Sequence, residues 1–176
     1  MPSSTYIRRT YLSRIRDLIG KDVVKVITGM RRTGKSTLMD QTISELISDG
    51  VPESDILKYD MGFGKAPHFS DWRSLYDSVA SWASGKKHTY VFLDEIQTLD
   101  GWHRCVRALL TDLDADIFVT GSSSRMLSGE MATHLAGRYA EIAVMPFSFS
   151  EVVDYIGSAA GMSEPELFRT YIRYGG

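Results

Sequence analysis

Short apolar runs and apolar stripes with helical spacing alternate along this chain. Apolar, often β-branched runs predict five buried strands, over residues 23–28, 56–61, 89–95, 116–123 and 138–146. Between them, apolar residues recur every three or four positions, which is typical of amphipathic helices. Because parallel strands need crossover helices, the alternation predicts an α/β fold: a five-stranded, mainly parallel sheet with helices on both faces, hence three layers.

The helical stripes begin near the N terminus and continue after the last strand. Ile7, Tyr11, Ile15 and Leu18 predict a first helix that ends at Gly20. Later stripes predict a helix after the loop at 29–35, helices beginning at Trp72 and Trp102, a short helix near 128–136, and two helices in SFSEVVDYI and SEPELFRTYI. We expect Lys25, the charged member of the first strand, to lie near an edge.

Length and composition limit the class of protein. The 176 residues suffice for one domain with a core, and 43% hydrophobic and 24% charged residues are ordinary for a soluble globular protein. We expect one core domain over residues 1–156, which includes the N-terminal helix, and a C-terminal helix over 157–176 that leads to a further domain. No apolar run reaches the roughly 18 residues of a membrane span, and no secretory signal is seen, so we expect no membrane partner and a cytoplasmic location.

Cysteine and histidine usage excludes two kinds of site. The single cysteine, Cys105, rules out an internal disulfide and a cysteine zinc site, and we expect it to be a small apolar residue on a helix. The four histidines show no metal-binding spacing, so no zinc site is predicted.

Charge is unevenly distributed. Residues 1–37 contain nine Lys or Arg against two acidic residues, although the whole chain has a net charge of −2. Such a segment could meet nucleic acid or another acidic partner. We favour the simpler interpretation that its helical arginines, Arg8, Arg9, Arg14 and Arg16, form the solvated face of one helix.

Residues 29–36 follow the pattern G-x-x-x-x-G-K-[ST] of phosphate-binding loops. Gly29 and Gly34 let the backbone turn so that successive N–H groups face one anion, and the following helix adds the positive end of its dipole. Lys35 supplies a charge for the β- and γ-phosphates, and Ser36 supplies a hydroxyl ligand for Mg²⁺. The loop lies between a predicted strand and a predicted helix, as this motif requires.

The other residues of the loop are expected to contact the nucleotide as well. Met30 and Thr33 lie within it, and Thr37 is placed to reach the α-phosphate region. Arg31 and Arg32 either contact phosphates or point outward and pair with acidic residues.

A second motif, YVFLDE, ends the third strand. Asp94 follows apolar strand residues and is expected to bind Mg²⁺ through water. A carboxylate beside the metal can deprotonate an attacking water, and this role falls to Glu95. The pair favours hydrolysis over phosphoryl transfer to a metabolite.

Further polar residues follow the fourth strand. Ser122 is the first candidate and Thr120 the second for a side chain that senses the γ-phosphate, because strand ends of a parallel sheet face the ligand crevice. Arg138, or else Arg125, is a candidate to stabilise transition-state charge. Such an arginine can also come from a neighbouring subunit.

Four segments carry a resemblance that covers nearly the whole chain: VITGMRRTGKSTLM, YVFLDEIQTLDGWHRCVRAL, IFVTGSSSRMLSGEMATHLAGRYAEIAVMPFSFSEV and the closing YGG. The sequence resembles the prokaryotic AAA-type ATPases that usually carry a C-terminal DUF4143 domain. The resemblance implies a P-loop NTPase fold with an additional strand, in which the Walker B strand lies between the P-loop strand and another. It implies ATP as the nucleotide, residues 29–37 as Walker A, Asp94 and Glu95 as Walker B, Ser122 as a sensor and Arg138 as a functional arginine.

We therefore expect a Mg²⁺-dependent ATPase domain that hydrolyses ATP to ADP and phosphate and acts as a conformational switch. Self-association or a C-terminal domain is the expected protein partner. Three alternatives stay open at this point: a nucleotide-binding module without hydrolysis, a nucleic-acid-associated ATPase, and a small-molecule kinase, which Glu95 disfavours.

Overall fold

A computed structural model describes residues 6–62, 67–122, 126, 133–135, 137–157 and 161–174. Its strands are β1 (Val24–Gly29), β2 (Ile56–Asp60), β3 (Thr89–Asp94), β4 (Ala115–Ser122) and β5 (Tyr139–Val144). Its helices are α1 (Arg9–Arg16), α2 (Lys35–Ser48), α3 (Trp72–Ala83), α4 (Trp102–Asp112), α5 (Phe149–Val152), which continues as a π-helical turn (Val153–Gly157), and α6 (Glu164–Tyr174). Arg125 lies outside these residues, as does most of the short helix predicted near 128–136.

All five strands are parallel, in the order β2-β3-β4-β1-β5. The sheet confirms the predicted class and is wholly rather than mainly parallel. Strand β3, which ends in the predicted Walker B motif, pairs with β2 and β4. Strand β4 therefore separates it from β1, which leads into the predicted phosphate-binding loop, whereas the resemblance implied that the Walker B strand lies between the P-loop strand and another. The carboxyl ends of β1, β3 and β4 therefore lie side by side at one edge.

Each face of the sheet has its own apolar core, which explains why the strands read as continuous apolar runs. Helices α3 and α4 pack on one face through Leu75, Val79, Cys105 and Val106. Helices α1 and α2 pack on the other through Leu12, Ile15, Leu38 and Met39. Cys105 is buried as expected, and burial raises the pKa of its thiol to about 12. None of the helices in the described ranges has the length and apolarity needed to cross a bilayer.

Two cations expected at the surface or an edge are buried instead. Lys25 is fully buried in β1, where its ammonium donates to Asp116 at the start of β4 and to the carbonyl of Lys21 at 2.8 Å. Arg8 is only 6% exposed, so it is not part of a solvated basic face. The buried stripe of α1 is Leu12 and Ile15, which lie four and seven residues after Arg8, whereas Ile7 is exposed.

Candidate functional site

The predicted phosphate-binding loop begins where β1 ends, at Gly29. This residue has φ +154°, and a Cβ placed on it would lie 2.4 Å from the carbonyl oxygen of Val144 and 2.8 Å from Thr33 Oγ1. Only glycine therefore allows β5 and the loop to approach β1 this closely. Within the loop, the Thr33 hydroxyl donates to the carbonyl of Met30 at 2.9 Å.

The loop ends at Gly34, which precedes the first residue of α2 and has φ +87°. This left-handed conformation favours glycine and turns the backbone into the helix. Ser36 and Thr37 follow in the first turn, where both are exposed. The N–H groups of this turn have no partner within the helix, so they are available to an anion.

Lys35 is the buried cation of the site. Its side chain is 4% exposed, and its ammonium donates to the carbonyls of Met30 at 3.0 Å and Gly29 at 3.3 Å. A carboxylate oxygen of Glu95 lies 3.9 Å away. Because neutral carbonyls and one distant carboxylate compensate a buried charge only partly, this environment suits a phosphate as a further partner.

Asp94 lies at the carboxyl end of β3 and is 3% exposed. The hydroxyl of Thr120, on the neighbouring strand β4, donates to Asp94 Oδ1. The same hydroxyl accepts a hydrogen bond from the backbone N–H of Glu95 at 2.9 Å. Thr120, our second candidate for a phosphate sensor, thus contacts both acidic residues.

Glu95 has φ +53°, a left-handed conformation that is uncommon for a residue with a side chain. Such outliers cluster at functional sites, where the surrounding structure maintains them. The side-chain amide of Gln97 donates to Glu95 Oε2 at 2.5 Å, and Oε1 faces Lys35. The sequence reasoning missed Gln97, and the available signal was its place two residues after Glu95 in DEIQ.

Ser122 is the last residue of β4 and lies beside Gly29 in the sheet register. It is partly exposed at the same edge as the loop, Asp94 and Glu95. The structure therefore brings Ser122 to the site, and its role as a sensor stays a prediction. Arg31 and Arg32 are exposed at the tip of the loop.

Arg138 is not at this site. It immediately precedes β5, and its carbonyl accepts a hydrogen bond from Val24 at the start of β1. Its guanidinium contacts both carboxylate oxygens of Asp22 at 2.7 Å. Since β1 is parallel to β5, Arg138 lies a full strand, roughly 17–20 Å at 3.3 Å per residue, from the loop. We correct the expectation that it acts on phosphate bound by its own chain.

A cleft of about 890 Å³ lies beside the loop, on the β5 side of the sheet. Its lining includes Tyr6, Ile7, Tyr11, Met145 and Tyr155. Ile7 and Met145 are 53% and 63% exposed, but Arg9, Arg14 and Asp154 also line the cleft, so it presents a mixture of apolar, aromatic and charged surface to solvent. Its volume is in the range of small-molecule pockets.

The residues present fit a nucleotide with Mg²⁺. Gly29 and Gly34 add no side chain at the two ends of the loop, Lys35 is a partly compensated buried cation, and Asp94 and Ser36 are oxygen ligands of the kind that Mg²⁺ prefers. Within the described ranges there is no cluster of three or more His, Cys, Asp or Glu that could enclose a metal ion.

Comparison with solved structures shows that this fold also occurs in Hsp104. An ADP complex of yeast (S. cerevisiae) Hsp104 superposes with a TM-score of 0.68 at 19% identity, over 88% of this chain and 24% of that one. The extended Hsp104:casein complex superposes with a TM-score of 0.63 at 17% identity, over 85% of this chain and 28% of that one. The fold is that of AAA-type P-loop ATPases, as the resemblance implied.

Sequence comparison finds relatives in bacteria and archaea. A Haemophilus influenzae protein described as uncharacterized is 33% identical over 100% of this chain and 44% of its own length. The uncharacterized protein MJ1544 of Methanocaldococcus jannaschii is 34% identical over 75% of this chain and 28% of its own length. The chain thus spans less than half the length of these relatives. A family model described as an AAA domain matches residues 21–153. The chain belongs to this family of AAA domains.

Proposed function

We propose that this domain binds ATP with Mg²⁺ and hydrolyses it to ADP and phosphate. One observation carries the proposal: buried Lys35, from the glycine loop, lies 3.9 Å from Glu95, which directly follows buried Asp94. A phosphate-binding cation, a metal-binding carboxylate and a candidate base thus meet at one edge of the sheet. The Mg²⁺ dependence and the hydrolysis are the parts that need a direct test.

Each residue has a role that follows from its position. The backbone N–H groups of the loop and Lys35 bind the phosphates, and Ser36 and Asp94 provide oxygen ligands for Mg²⁺. Bound Mg²⁺ supplies positive charge that offsets the negative charge of the transferred phosphoryl group. Glu95 accepts a proton from the attacking water, and Gln97 orients its carboxylate by donating to Oε2.

The nucleotide base occupies the cleft of about 890 Å³ in this proposal. Its wall residues Tyr6, Tyr11 and Tyr155 offer aromatic surface that can pack on a flat base, and Met145 adds a flexible apolar contact. The cleft adjoins the loop because Arg8, which lines it, also donates to Thr33 O at 3.3 Å. The ADP complex of Hsp104, which shares this fold, agrees with an adenine nucleotide.

The proposed switch function depends on the segment after β5, which forms one wall of this cleft and is followed by α5 and α6. Residues 145–148 connect β5 to α5, which continues through the π-helical turn toward α6. A nucleotide that contacts both the loop and this wall can change the position of α6 and of any domain that follows it. Self-association is a second route for such a change.

A nucleic-acid role has less support than the first 37 residues suggested. Arg8 is buried, and Arg16 lies 3.2 Å from Glu45 on α2. Of the four arginines in the predicted basic face, this leaves Arg9 and Arg14, which is a small electrostatic footprint. A phosphate-release rate that DNA stimulates and salt suppresses would restore this alternative.

Phosphate release from Mg·ATP tests the proposal. We expect turnover by the wild type, loss of turnover without Mg²⁺, and weak ATP binding by Lys35→Ala. Glu95→Gln should bind ATP normally while its turnover falls by about 100-fold or more, because a general base contributes a factor of that order. ATP binding without any turnover by the wild type would favour the module that does not hydrolyse. No binding at all would contradict the proposal.

A further inference from the structure

The buried Arg8 links the phosphate loop to the segment after β5. Its Nη1 donates to the carbonyl of Thr33 at 3.3 Å and to that of Met145 at 2.7 Å. Its Nε and Nη2 donate to the two carboxylate oxygens of Glu151 at 2.8 and 3.0 Å. The guanidinium carbon also lies 4.5 Å from the ring centroid of Tyr11. Nη2 also donates to the carbonyl of Pro146 at 3.5 Å, so all five N–H donors of the guanidinium have a partner.

Glu151 is itself fixed in place. It belongs to a capping box with Ser148, whose backbone N–H donates to Glu151 Oε2 at 2.8 Å. Burial raises the pKa of Glu151, but the hydrogen bonds from Arg8 and Ser148 outweigh it, so that the pKa lies below its usual value. The carboxylate therefore stays charged at neutral pH and keeps Arg8 in one orientation.

The contact with Thr33 determines the direction of the next N–H group. No peptide bond in the described ranges is cis, and a planar trans peptide directs its C=O and its N–H to opposite sides. Because Arg8 binds the carbonyl of Thr33, the N–H of Gly34 points away from Arg8. In a G-x-x-x-x-G-K-[ST] loop, the N–H groups must turn inward to the phosphates.

We propose that Arg8 is a positioning residue: with Glu151 as its anchor, it orients the Thr33–Gly34 peptide so that the Gly34 N–H is directed at the phosphates. This inference rests on the proposed binding of a nucleoside triphosphate. The same guanidinium contacts Met145, in the wall of the base-side cleft. Arg8 therefore links the phosphate end of the site to the base end. A lysine has one compact donor group and cannot replace the fork that contacts Glu151, Thr33 and Met145 together.

The test compares Arg8→Lys and Arg8→Ala with the wild type. Arg16→Lys is the matched control, since it makes the same replacement at the opposite end of α1, of which Arg8 is the N-cap, and at an exposed ion pair. Three quantities are measured: the melting temperature, the affinity for inorganic triphosphate with Mg²⁺, and the amide resonance of Gly34 in ¹⁵N-glycine-labelled protein. Glu151→Gln takes the place of Arg8→Ala if the alanine variant does not fold.

Arg8→Lys should keep a charge pair with Glu151, and its melting temperature should stay close to that of the wild type. It should nevertheless shift the Gly34 resonance and weaken triphosphate binding about tenfold, as expected for one lost charged hydrogen bond. Arg16→Lys should change neither quantity. An unchanged Gly34 resonance and affinity in Arg8→Lys would overturn the inference, as would an affinity that only follows the melting temperature across the variants. A wild type that binds no triphosphate would refute the proposed function and the phosphate contact of Gly34, and the Gly34 resonance would still show whether Arg8 orients the Thr33–Gly34 peptide.

Discussion

The hydroxyl of Thr120 donates to the carboxylate of Asp94 and accepts from the backbone N–H of Glu95. Thr120 is fully buried on β4, the strand beside the one that ends in Asp94. A single hydroxyl thus fixes the side chain of the proposed metal ligand and the backbone of the proposed base. Its effect on hydrolysis should be larger than its effect on the affinity for ATP.

Thr120→Val removes this hydroxyl while keeping the shape of the side chain. We expect the unfolding free energy to fall by about 1–3 kcal/mol, because buried polar groups of Asp94 and Glu95 lose a partner. Turnover should fall by more than the affinity for ATP, as measured by phosphate release and equilibrium binding. Thr111→Val on the exposed side of α4 is the control. Equal losses of turnover in the two variants would contradict the role of Thr120.

Gly29→Ala should destabilise the loop through a steric clash. The new Cβ would lie 2.4 Å from the carbonyl oxygen of Val144, and backbone atoms of β5 cannot move aside easily. Gly50→Ala is the control, because Gly50 also has a positive φ but has nothing within 4 Å of the added Cβ. We expect Gly29→Ala to lose about 1–3 kcal/mol more stability in urea unfolding. It should also lose affinity for ATP, whereas Gly50→Ala should not.

Lys25→Met tests the buried ion pair between Lys25 on β1 and Asp116 at the start of β4. Asp116 accepts from the ammonium of Lys25, from the backbone of Gly20 at 3.0 Å and from His88 at 3.1 Å. Removing one partner of a buried pair leaves an uncompensated charge, so we expect a loss of about 3–5 kcal/mol in unfolding free energy.

The double variant Lys25→Met with Asp116→Leu separates charge from packing. It removes both charges, and we expect it to recover part of the stability that Lys25→Met loses. If the loss of unfolding free energy in the double variant exceeds the sum of the losses in the two single variants, the pair contributes through its geometry rather than through compensated charge. Urea unfolding of the four proteins at one pH gives the answer.

The sequence predicted the features that depend on neighbouring residues. The strands are apolar because both faces of a parallel sheet are buried, and the glycines at 29 and 34 occupy two of the three loop positions with positive φ, the third being Arg32. Asp94 ends a buried strand and Glu95 follows it, and Ser122 ends another strand beside Gly29. Order along the chain was sufficient for these residues, because parallel strands bring their carboxyl ends to one edge.

Partners distant in the chain could not be predicted in this way. Lys25 pairs with Asp116, 91 residues later, and Arg8 pairs with Glu151, 143 residues later. Charge alone predicted that Lys25 lies near an edge and that Arg8 lies on a solvated helix face. Two local signals were available for the second pair: Leu12 and Ile15 place Arg8 on the buried face of α1, and SFSE is a capping box that ends in Glu151. The prediction that Arg138 lies at the site was wrong because a residue that immediately precedes a parallel strand lies at the amino end of the sheet, opposite the phosphate-binding loop.

His88, which immediately precedes β3, should make the stability of the protein depend on pH. His88 Nδ1 lies 2.6 Å from Asp114 Oδ1, its Nε2 lies 3.1 Å from Asp116, and its ring packs edge-on against Tyr90. Burial lowers the pKa of His88, but the hydrogen bonds to Asp114 and Asp116 outweigh this effect and raise the pKa above its usual value. The protonated ring balances the second carboxylate, since Lys25 compensates only one of the two.

A group with a raised pKa in the folded state stabilises the protein most when it is protonated. The contribution of His88 is therefore complete below its usual pKa of about 6.5 and is lost as the pH rises through the higher value in the folded protein. We expect His88→Gln to reduce the unfolding free energy more at pH 6 than at pH 8.5, as measured by urea unfolding across this range. His68→Gln at an exposed position should show no such difference. A His88→Gln loss that is the same at both pH values would mean that the ring acts through packing and neutral hydrogen bonds alone.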